Sequence, residues 1–85
     1  MLESQIQREI ILKVFAMGGI ATKVDGRRGW PDVTAVLPGG RVMFLEVKQG
    51  AGRVSKIQQR TIDILEGLGA EVHVVRSLEG FNALL

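Results

Sequence analysis

The sequence predicts an α/β fold with the order α-β-β-β-α-β-α, in which helices flank a four-stranded mixed sheet. Two stretches with apolar residues at helical spacing are separated by several short apolar runs, and these runs are the length of strands. Turn residues, many of them glycine, separate the runs. Because a helix connects the third and fourth runs, those two strands can be parallel, and the sheet is expected to be mixed.

The first half of the chain is expected to form one helix and three strands. Ile6, Ile10 and Val14 recur at helical spacing over 2–17 and give the helix a buried face, and a Gly-Gly pair ends it. Apolar runs bounded by turn residues then predict strands over 20–24, 32–37 and 41–48. A Pro-Gly-Gly turn joins the last two strands, so they are expected to form an antiparallel hairpin.

The second half is expected to form a helix, a strand and a short terminal helix. Ser55 and Gln58 match a capping box, in which each side chain bonds the main-chain N–H of the other residue. The buried face of this helix is predicted from four residues, namely Ile57, Thr61, Leu65 and Leu68. A strand over 71–75 and a terminal helix that begins at Ser77 or Leu78 and ends at Leu85 follow. The apolar tail 81–85 fits two roles, completing the core of the monomer or contacting a second copy.

Composition narrows the class of protein. A chain of 85 residues with 46% apolar residues suits one small globular domain. The absence of cysteine excludes disulfides and thiolate metal sites, and it fits a reducing compartment such as the cytoplasm. The first residues are polar, and no apolar run approaches the ~20 residues of a membrane span. We therefore expect neither a secretory signal nor a membrane partner.

Basic residues are concentrated in the middle of the chain. The segment 23–60 contains three acids and eight bases, namely Lys23, Arg27, Arg28, Arg41, Lys48, Arg53, Lys56 and Arg60. This excess predicts a polyanionic partner, with nucleic acid the first candidate. A solvated basic surface fits the charge equally well, and charge alone does not separate DNA from RNA.

Two charged residues interrupt the third strand where it should remain apolar. Glu46 and Lys48 are two positions apart, so their side chains share one face of the strand. Burying two charges costs desolvation energy, and chains tolerate this cost most readily at a site of binding or catalysis. Asp32 begins the preceding strand, so its carboxylate is expected near that of Glu46. Two neighbouring carboxylates repel each other unless a cation lies between them, and Mg²⁺ suits oxygen ligands.

Each of these residues also has a purely structural interpretation. Asp32 can cap the main-chain N–H groups of a turn, and Glu46 and Lys48 can form ion pairs with distant partners. Glu3 lies on the apolar face of the first helix and is a candidate third acid. An acid in a first turn also interacts favourably with the helix dipole. For Gln58 the capping box and a supporting role at the site can coexist.

The motifs, taken in order, resemble the VRR-NUC family of the PD-(D/E)XK nuclease superfamily, in its minimal, phage-type stand-alone form. Four matches carry the resemblance: Glu3 with Gln7, Gly29-Trp30-Pro31-Asp32, Phe44-Leu45-Glu46-Val47-Lys48, and Ser55 with Gln58. The resemblance covers essentially the whole chain. It implies that 1–85 is a single VRR-NUC-like nuclease domain with a restriction-endonuclease-like core.

The resemblance implies an endodeoxyribonuclease that hydrolyses phosphodiester bonds with Mg²⁺ or Mn²⁺. The metal ligands it implies are Asp32, Glu46, the main-chain carbonyl of Val47 and, directly or through water, Glu3. Lys48 would act on the attacking water, and Gln58 would support the site.

The resemblance further implies a homodimer that cleaves branched DNA, with resolution of Holliday junctions as the leading activity. Two symmetric cuts require two related sites, which a twofold dimer supplies. Leu12 and Phe15 lie off the buried face of the first helix and are candidates for the interface. The candidates for phosphate contacts are Arg27, Arg28, Arg53, Lys56 and Arg60. A flap or nicking nuclease of DNA repair and a non-catalytic DNA-binding module are the alternatives.

Overall fold

The computed structural model describes residues 1–85 and has the predicted order of helices and strands. The elements are α1 (Glu3–Ala16), β1 (Ile20–Lys23), β2 (Val33–Val36), β3 (Val42–Val47), α2 (Lys56–Gly67), β4 (Glu71–Val75) and α3 (Leu78–Asn82). The predicted α/β fold is confirmed. None of the three helices has the length and apolar character that a membrane crossing requires.

The four strands form one mixed sheet in the order β1-β2-β3-β4. β2 is antiparallel to both β1 and β3, whereas β4 is parallel to β3 because α2 provides the crossover. Val33 pairs with Leu45 and Thr34 pairs with Phe44 in the hairpin. If this register is extended by one residue, Asp32 lies opposite Glu46.

The helices cover the two faces of the sheet unequally. On one face, α1 and α3 enclose a core of twelve buried residues, to which Phe81 of α3 contributes a side chain with no exposed surface. On the other face, α2 encloses a smaller core formed by Ile62, Leu65 and Val72, against which Trp30 and Phe44 pack. Phe81 therefore completes the core of the monomer, which is the first of the two roles expected for the apolar tail.

The buried face of α2 differs from the predicted one. Thr61 and Leu65 are buried as predicted, but Leu68 is 80% exposed and Ile57 is 41% exposed. Ile62, which the periodicity did not select, is buried in their place. The physical reason is that α2 is rotated toward β4, so that Ile62 contacts the core that contains Val72.

On the face that carries α2, the sheet retains an uncovered apolar row. Ala21, Ala35 and Met43 belong to the core beneath α1, so the residues before or after them in each strand point to the opposite face. Three of these residues are paired side by side across β1, β2 and β3, namely Ile20, Val36 and Val42. Ile20 and Val42 are exposed. We call these three residues the sheet row.

Candidate active site

Two carboxylates, a lysine and a glutamine meet at the end of β3. The Glu46 side chain is only 1% exposed, and its Oε2 accepts a hydrogen bond of 3.2 Å from the Gln58 Nε2. The Lys48 Nζ lies 3.8 Å from the same oxygen. Asp32 is close by, because its Oδ2 accepts a hydrogen bond of 2.8 Å from the main-chain N–H of Val47. The alternation of β3 and the short hairpin thus bring these side chains together.

When Glu46 is ionised, two negative charges and one positive charge meet at this point of the molecule. The Glu46 Oε1 is buried and has no hydrogen-bond partner. Burial and, after it, the neighbouring Asp32 raise the pKa of the Glu46 carboxyl to about 8, while the charge of Lys48 opposes the shift. A buried carboxylate with an unbonded oxygen beside a second carboxylate is what a hard divalent cation would satisfy. The residues present therefore fit Mg²⁺ or Mn²⁺.

Side-chain ligands alone would not complete such a site. No group of three or more His, Cys, Asp or Glu side chains lies close enough together to hold a metal ion. The Glu3 Oε2 lies 3.4 Å from the main-chain nitrogen of Gln49, which donates a long hydrogen bond to it. The charge of Glu3 also raises the pKa of Glu46, as the smallest of the contributions. Asp32 and Glu46 would thus need a main-chain oxygen or water as further ligands.

Glu3 nonetheless lies close to this end of the sheet. Glu3 lines an open cavity of about 730 Å³ between the start of α1 and the loop that follows Lys48. This loop contributes the residues 49–52 to the cavity wall. A substrate that enters the cavity would therefore contact both Glu3 and the main chain of the loop.

Gln58 combines the two roles that the sequence allowed. Its Oε1 accepts a hydrogen bond of 2.9 Å from the main-chain N–H of Ser55, and the Ser55 Oγ accepts one of 3.2 Å from the main-chain N–H of Gln58. The capping box is thus present. Because the box uses only Oε1, the amide nitrogen of Gln58 is able to orient Glu46.

The five candidate phosphate contacts lie on two adjoining segments. Gly29 has φ of +85°, and a Cβ there would come within 2.5 Å of the Ile57 Cγ2, so only glycine lets this loop rest on α2. The loop carries Arg27 and Arg28, and the region around the start of α2 carries the other three. All five side chains are exposed, and none forms an ion pair within the protein.

Arg76, which holds the loop after Lys48, is a residue whose role was not predicted from the sequence. Its Nη1 donates hydrogen bonds of 2.9 and 2.7 Å to the main-chain carbonyls of Gly50 and Gly52. A signal was available, because a parallel crossover brings the carboxyl ends of β3 and β4 to the same edge of the sheet. A cation that directly follows β4 is therefore close to Lys48.

A second cluster, at the other end of β4, is structural. The guanidinium of Arg41 donates two hydrogen bonds to Glu71, of 2.9 and 2.6 Å, and a third to the carbonyl of Leu84. Together with a hydrogen bond to His73, Arg41 lowers the pKa of the Glu71 carboxyl to about 2. This cluster ties the end of the chain to the sheet.

The fold and this constellation of side chains define a nuclease domain of the PD-(D/E)XK type. The sequence matches the VRR-NUC domain family over residues 4–79, and the chain therefore belongs to that family. The resemblance inferred from the motifs is thus confirmed.

Similar proteins support the same class. The chain is 36% identical over 77 residues to "Putative nuclease p44" of Acyrthosiphon pisum secondary endosymbiont phage 1, which covers 88% of this chain and 83% of the phage protein. A solved VRR-NUC domain superposes with a TM-score of 0.84 at 30% identity, covering 96% of this chain and 91% of that domain. The Holliday junction resolvase Hjc of Archaeoglobus fulgidus shares the fold, with a TM-score of 0.61 at 22% identity over 85% of this chain and 61% of the resolvase.

Proposed function

We propose that this protein is a metal-dependent, structure-selective DNA endonuclease, and that branched DNA, above all the Holliday junction, is its substrate. The observation that carries the proposal is the buried carboxylate of Glu46, which has one unbonded oxygen and two charged neighbours, Asp32 and Lys48. A structural ion pair would normally have its buried oxygens bonded. Membership of a nuclease family and the fold shared with an archaeal junction resolvase support the activity and the substrate.

In this proposal the metal ligands are Asp32, Glu46, the carbonyl of Val47 and, through water, Glu3. Mg²⁺ or Mn²⁺ held there would supply Lewis-acid activation of a phosphodiester and of water. The side-chain amide nitrogen of Gln58 donates a hydrogen bond to the Glu46 carboxylate and so fixes its orientation. Lys48 lies beside the carboxylates and is 14% exposed, so its ammonium can orient the attacking water and stabilise negative charge on the phosphate.

The exposed cations on the β1–β2 loop and around the start of α2 would bind the phosphates that flank the cleaved bond. They are Arg27, Arg28, Arg53, Lys56 and Arg60. Such contacts provide affinity that decreases with salt, and they carry little sequence information. This agrees with a nuclease that selects the shape of its substrate. We place its action on DNA in the cytoplasm, in junction resolution or repair, with 1–85 as one nuclease domain.

We also propose that the protein acts as a homodimer. Two symmetric cuts in a four-way junction require two related active sites. Leu12 and Phe15 of α1 are 58% and 51% exposed, and they form an apolar patch that the monomer leaves uncovered. We call this pair the helix patch and propose it as the interface. Phe81, which the sequence also offered as an interface residue, is excluded because it is wholly buried.

The substitution Asp32→Ala tests the enzymatic proposal. We expect the variant to lose cleavage of branched DNA and to keep its DNA affinity, because Asp32 holds metal while the exposed cations hold phosphate. Asp25→Ala is the matched control, since Asp25 is an exposed acid of the same connection. Wild-type protein that binds DNA without cleaving it would support a non-catalytic binding module instead. Cleavage of flaps or nicked duplex in preference to junctions would support the repair nuclease.

A further inference from the structure

We propose that Pro31 helps to form the active site. Because proline has no main-chain N–H, it leaves the main-chain carbonyl of Val47 available as an oxygen ligand. The proposal rests on the metal site proposed above and assigns a positioning role to a residue outside it. Three features of the β2–β3 ladder support this role: its register, the direction of its main-chain groups and the partner of the Val47 N–H.

The register predicts which residue should bond Val47. At the hairpin the main-chain N–H of Leu37 donates to the carbonyl of Arg41 at 2.8 Å. Hydrogen-bonded pairs of an antiparallel ladder recur every second residue. The next pairs are therefore Ala35 with Met43 and Val33 with Leu45, both in the observed register. The pair after these joins Pro31 and Val47.

The directions of the flanking main-chain groups agree. Val24 donates its N–H to the carbonyl of Asp32, so the main chain of Asp32 points to β1 and that of Pro31 points to β3. Lys48 donates its N–H to the carbonyl of Val75, so its main chain points to β4 and that of Val47 points to β2. The Val47 carbonyl thus faces the side on which Asp32 lies.

Proline breaks the ladder at this pair. Pro31 has no N–H, so it cannot donate to the Val47 carbonyl. The N–H of Val47 is also diverted, because it donates to the Asp32 Oδ2 at 2.8 Å. No hydrogen bond of a loop, a cap or a side chain involves the Val47 carbonyl. A main-chain carbonyl of a wholly buried residue normally has a partner. Here a cation shared with Asp32 and Glu46 would take that place.

A residue other than proline would supply the missing donor. Pro31→Ala restores an N–H opposite the Val47 carbonyl, and we expect the ladder to close and to compete with the metal. Replacement of Pro31 by N-methylalanine through chemical synthesis is the matched control, because it has the same side chain as alanine and no N–H. Pro31 is fully buried, so both variants lose packing, although the N-methyl group of N-methylalanine occupies the place of the proline Cδ that alanine lacks. Pro31→Val supplies an N–H with nearly the original volume, should the smaller side chain impair folding.

Two measurements test the inference without relying on cleavage. Calorimetric titration with Mn²⁺ should show affinity about tenfold weaker in Pro31→Ala and Pro31→Val than in the N-methylalanine variant, which should bind like wild type. Amide hydrogen exchange should show that the new N–H at position 31 is protected in metal-free protein and less so with Mn²⁺. Equal Mn²⁺ affinity in the variants with and without the N–H, or a freely exchanging amide at position 31, would overturn the inference.

The inference and the proposed function can fail separately. Wild-type protein that shows the expected Mn²⁺ pattern but cleaves no DNA would contradict the nuclease and leave the role of Pro31 intact. If the wild type cleaves DNA and Pro31→Ala binds Mn²⁺ with the wild-type affinity, the proposed nuclease activity stands and the proposed role of Pro31 is contradicted. Wild-type protein that binds no Mn²⁺ would overturn the role of Pro31.

Discussion

At Glu46, burial and a neighbouring charge act in the same direction. The side chain is almost wholly buried beside Asp32, and both conditions favour the protonated carboxyl, which gives it a pKa of about 8. We therefore expect the carboxyl of Glu46 to be mostly protonated at neutral pH in the metal-free protein. Metal binding requires the carboxylate, so it would release this proton and become tighter as the pH rises toward 8.

The raised pKa predicts how stability depends on pH in the metal-free protein. Between the ordinary pKa of 4.5 and the folded value of about 8, the folded chain holds a proton that the unfolded chain has lost. The free energy of unfolding therefore decreases as the pH rises through this window. We expect thermal unfolding in EDTA to show this decrease, and Mg²⁺ to reverse it near pH 8.

Glu46→Gln is the matched variant for this prediction, because glutamine keeps the shape and does not titrate. Its melting temperature should depend less on pH over the same window, and Mg²⁺ should leave it unchanged. Parallel curves for wild type and variant from pH 5 to pH 8 would contradict the account of Glu46.

Among the elements, the loop between β3 and α2 connects the strand that carries Glu46 to the capped helix. Lys48 precedes it and Ser55 follows it, so its conformation affects both sides of the site. Arg76 fixes the loop through the carbonyls of Gly50 and Gly52. A bond from the Gly52 N–H to the Gln49 carbonyl, of 2.9 Å, closes the turn.

Arg76→Ala should release this loop. We expect cleavage to decrease by about tenfold or more, with DNA affinity changed little, because the guanidinium of Arg76 is engaged by the protein. Faster amide exchange at Gly52 would report the released turn directly. Arg53→Ala is the control, since it should weaken DNA binding and lower its salt dependence instead. A loss of DNA affinity in Arg76→Ala equal to that in Arg53→Ala would show that Arg76 contacts phosphate.

The sequence predicted the features of these elements that depend on local spacing. The hairpin, the shared face of Glu46 and Lys48 and the capping box at Ser55 each follow from residues a few positions apart. The rotation of α2 and the contact of Arg76 do not, because they depend on distant partners. Helical periodicity selected Ile57 and Leu68, but the packing of α2 toward β4 buried Ile62 instead.

Over the whole molecule, exposed apolar side chains form several separate surfaces. They include the helix patch, the sheet row and a group on α2 and its C-cap made of Ile57, Ile64 and Leu68. The helix patch lies on α1, and the sheet row lies on the opposite face of the sheet. A small chain has limited capacity to bury apolar surface, and contiguous exposed patches often mark interfaces. Because a twofold dimer uses one patch twice, only one of these surfaces needs to be self-complementary.

Substitution of one residue in the helix patch and one in the sheet row tests the proposed dimer. We expect Phe15→Glu, in the helix patch, to halve the mass in sedimentation equilibrium, because a twofold interface brings the two introduced charges near each other. Val42→Glu, in the sheet row, is the control and should leave a dimer. A dimer that survives Phe15→Glu and dissociates with Val42→Glu would move the interface to the sheet row. A monomeric wild type would contradict the dimer.

The most direct test of the central claim is cleavage of a labelled four-way junction beside a linear duplex of matched sequence, with Mg²⁺ or EDTA, by wild type and Lys48→Ala. We predict paired symmetric cuts in the junction alone, lost in EDTA and reduced by at least about 100-fold in Lys48→Ala. Metal-dependent cutting of the duplex and not of the junction would contradict the proposal that branched DNA is the substrate. Absence of metal-dependent cutting in every substrate would contradict the assignment of Asp32, Glu46 and Lys48 as a nuclease site.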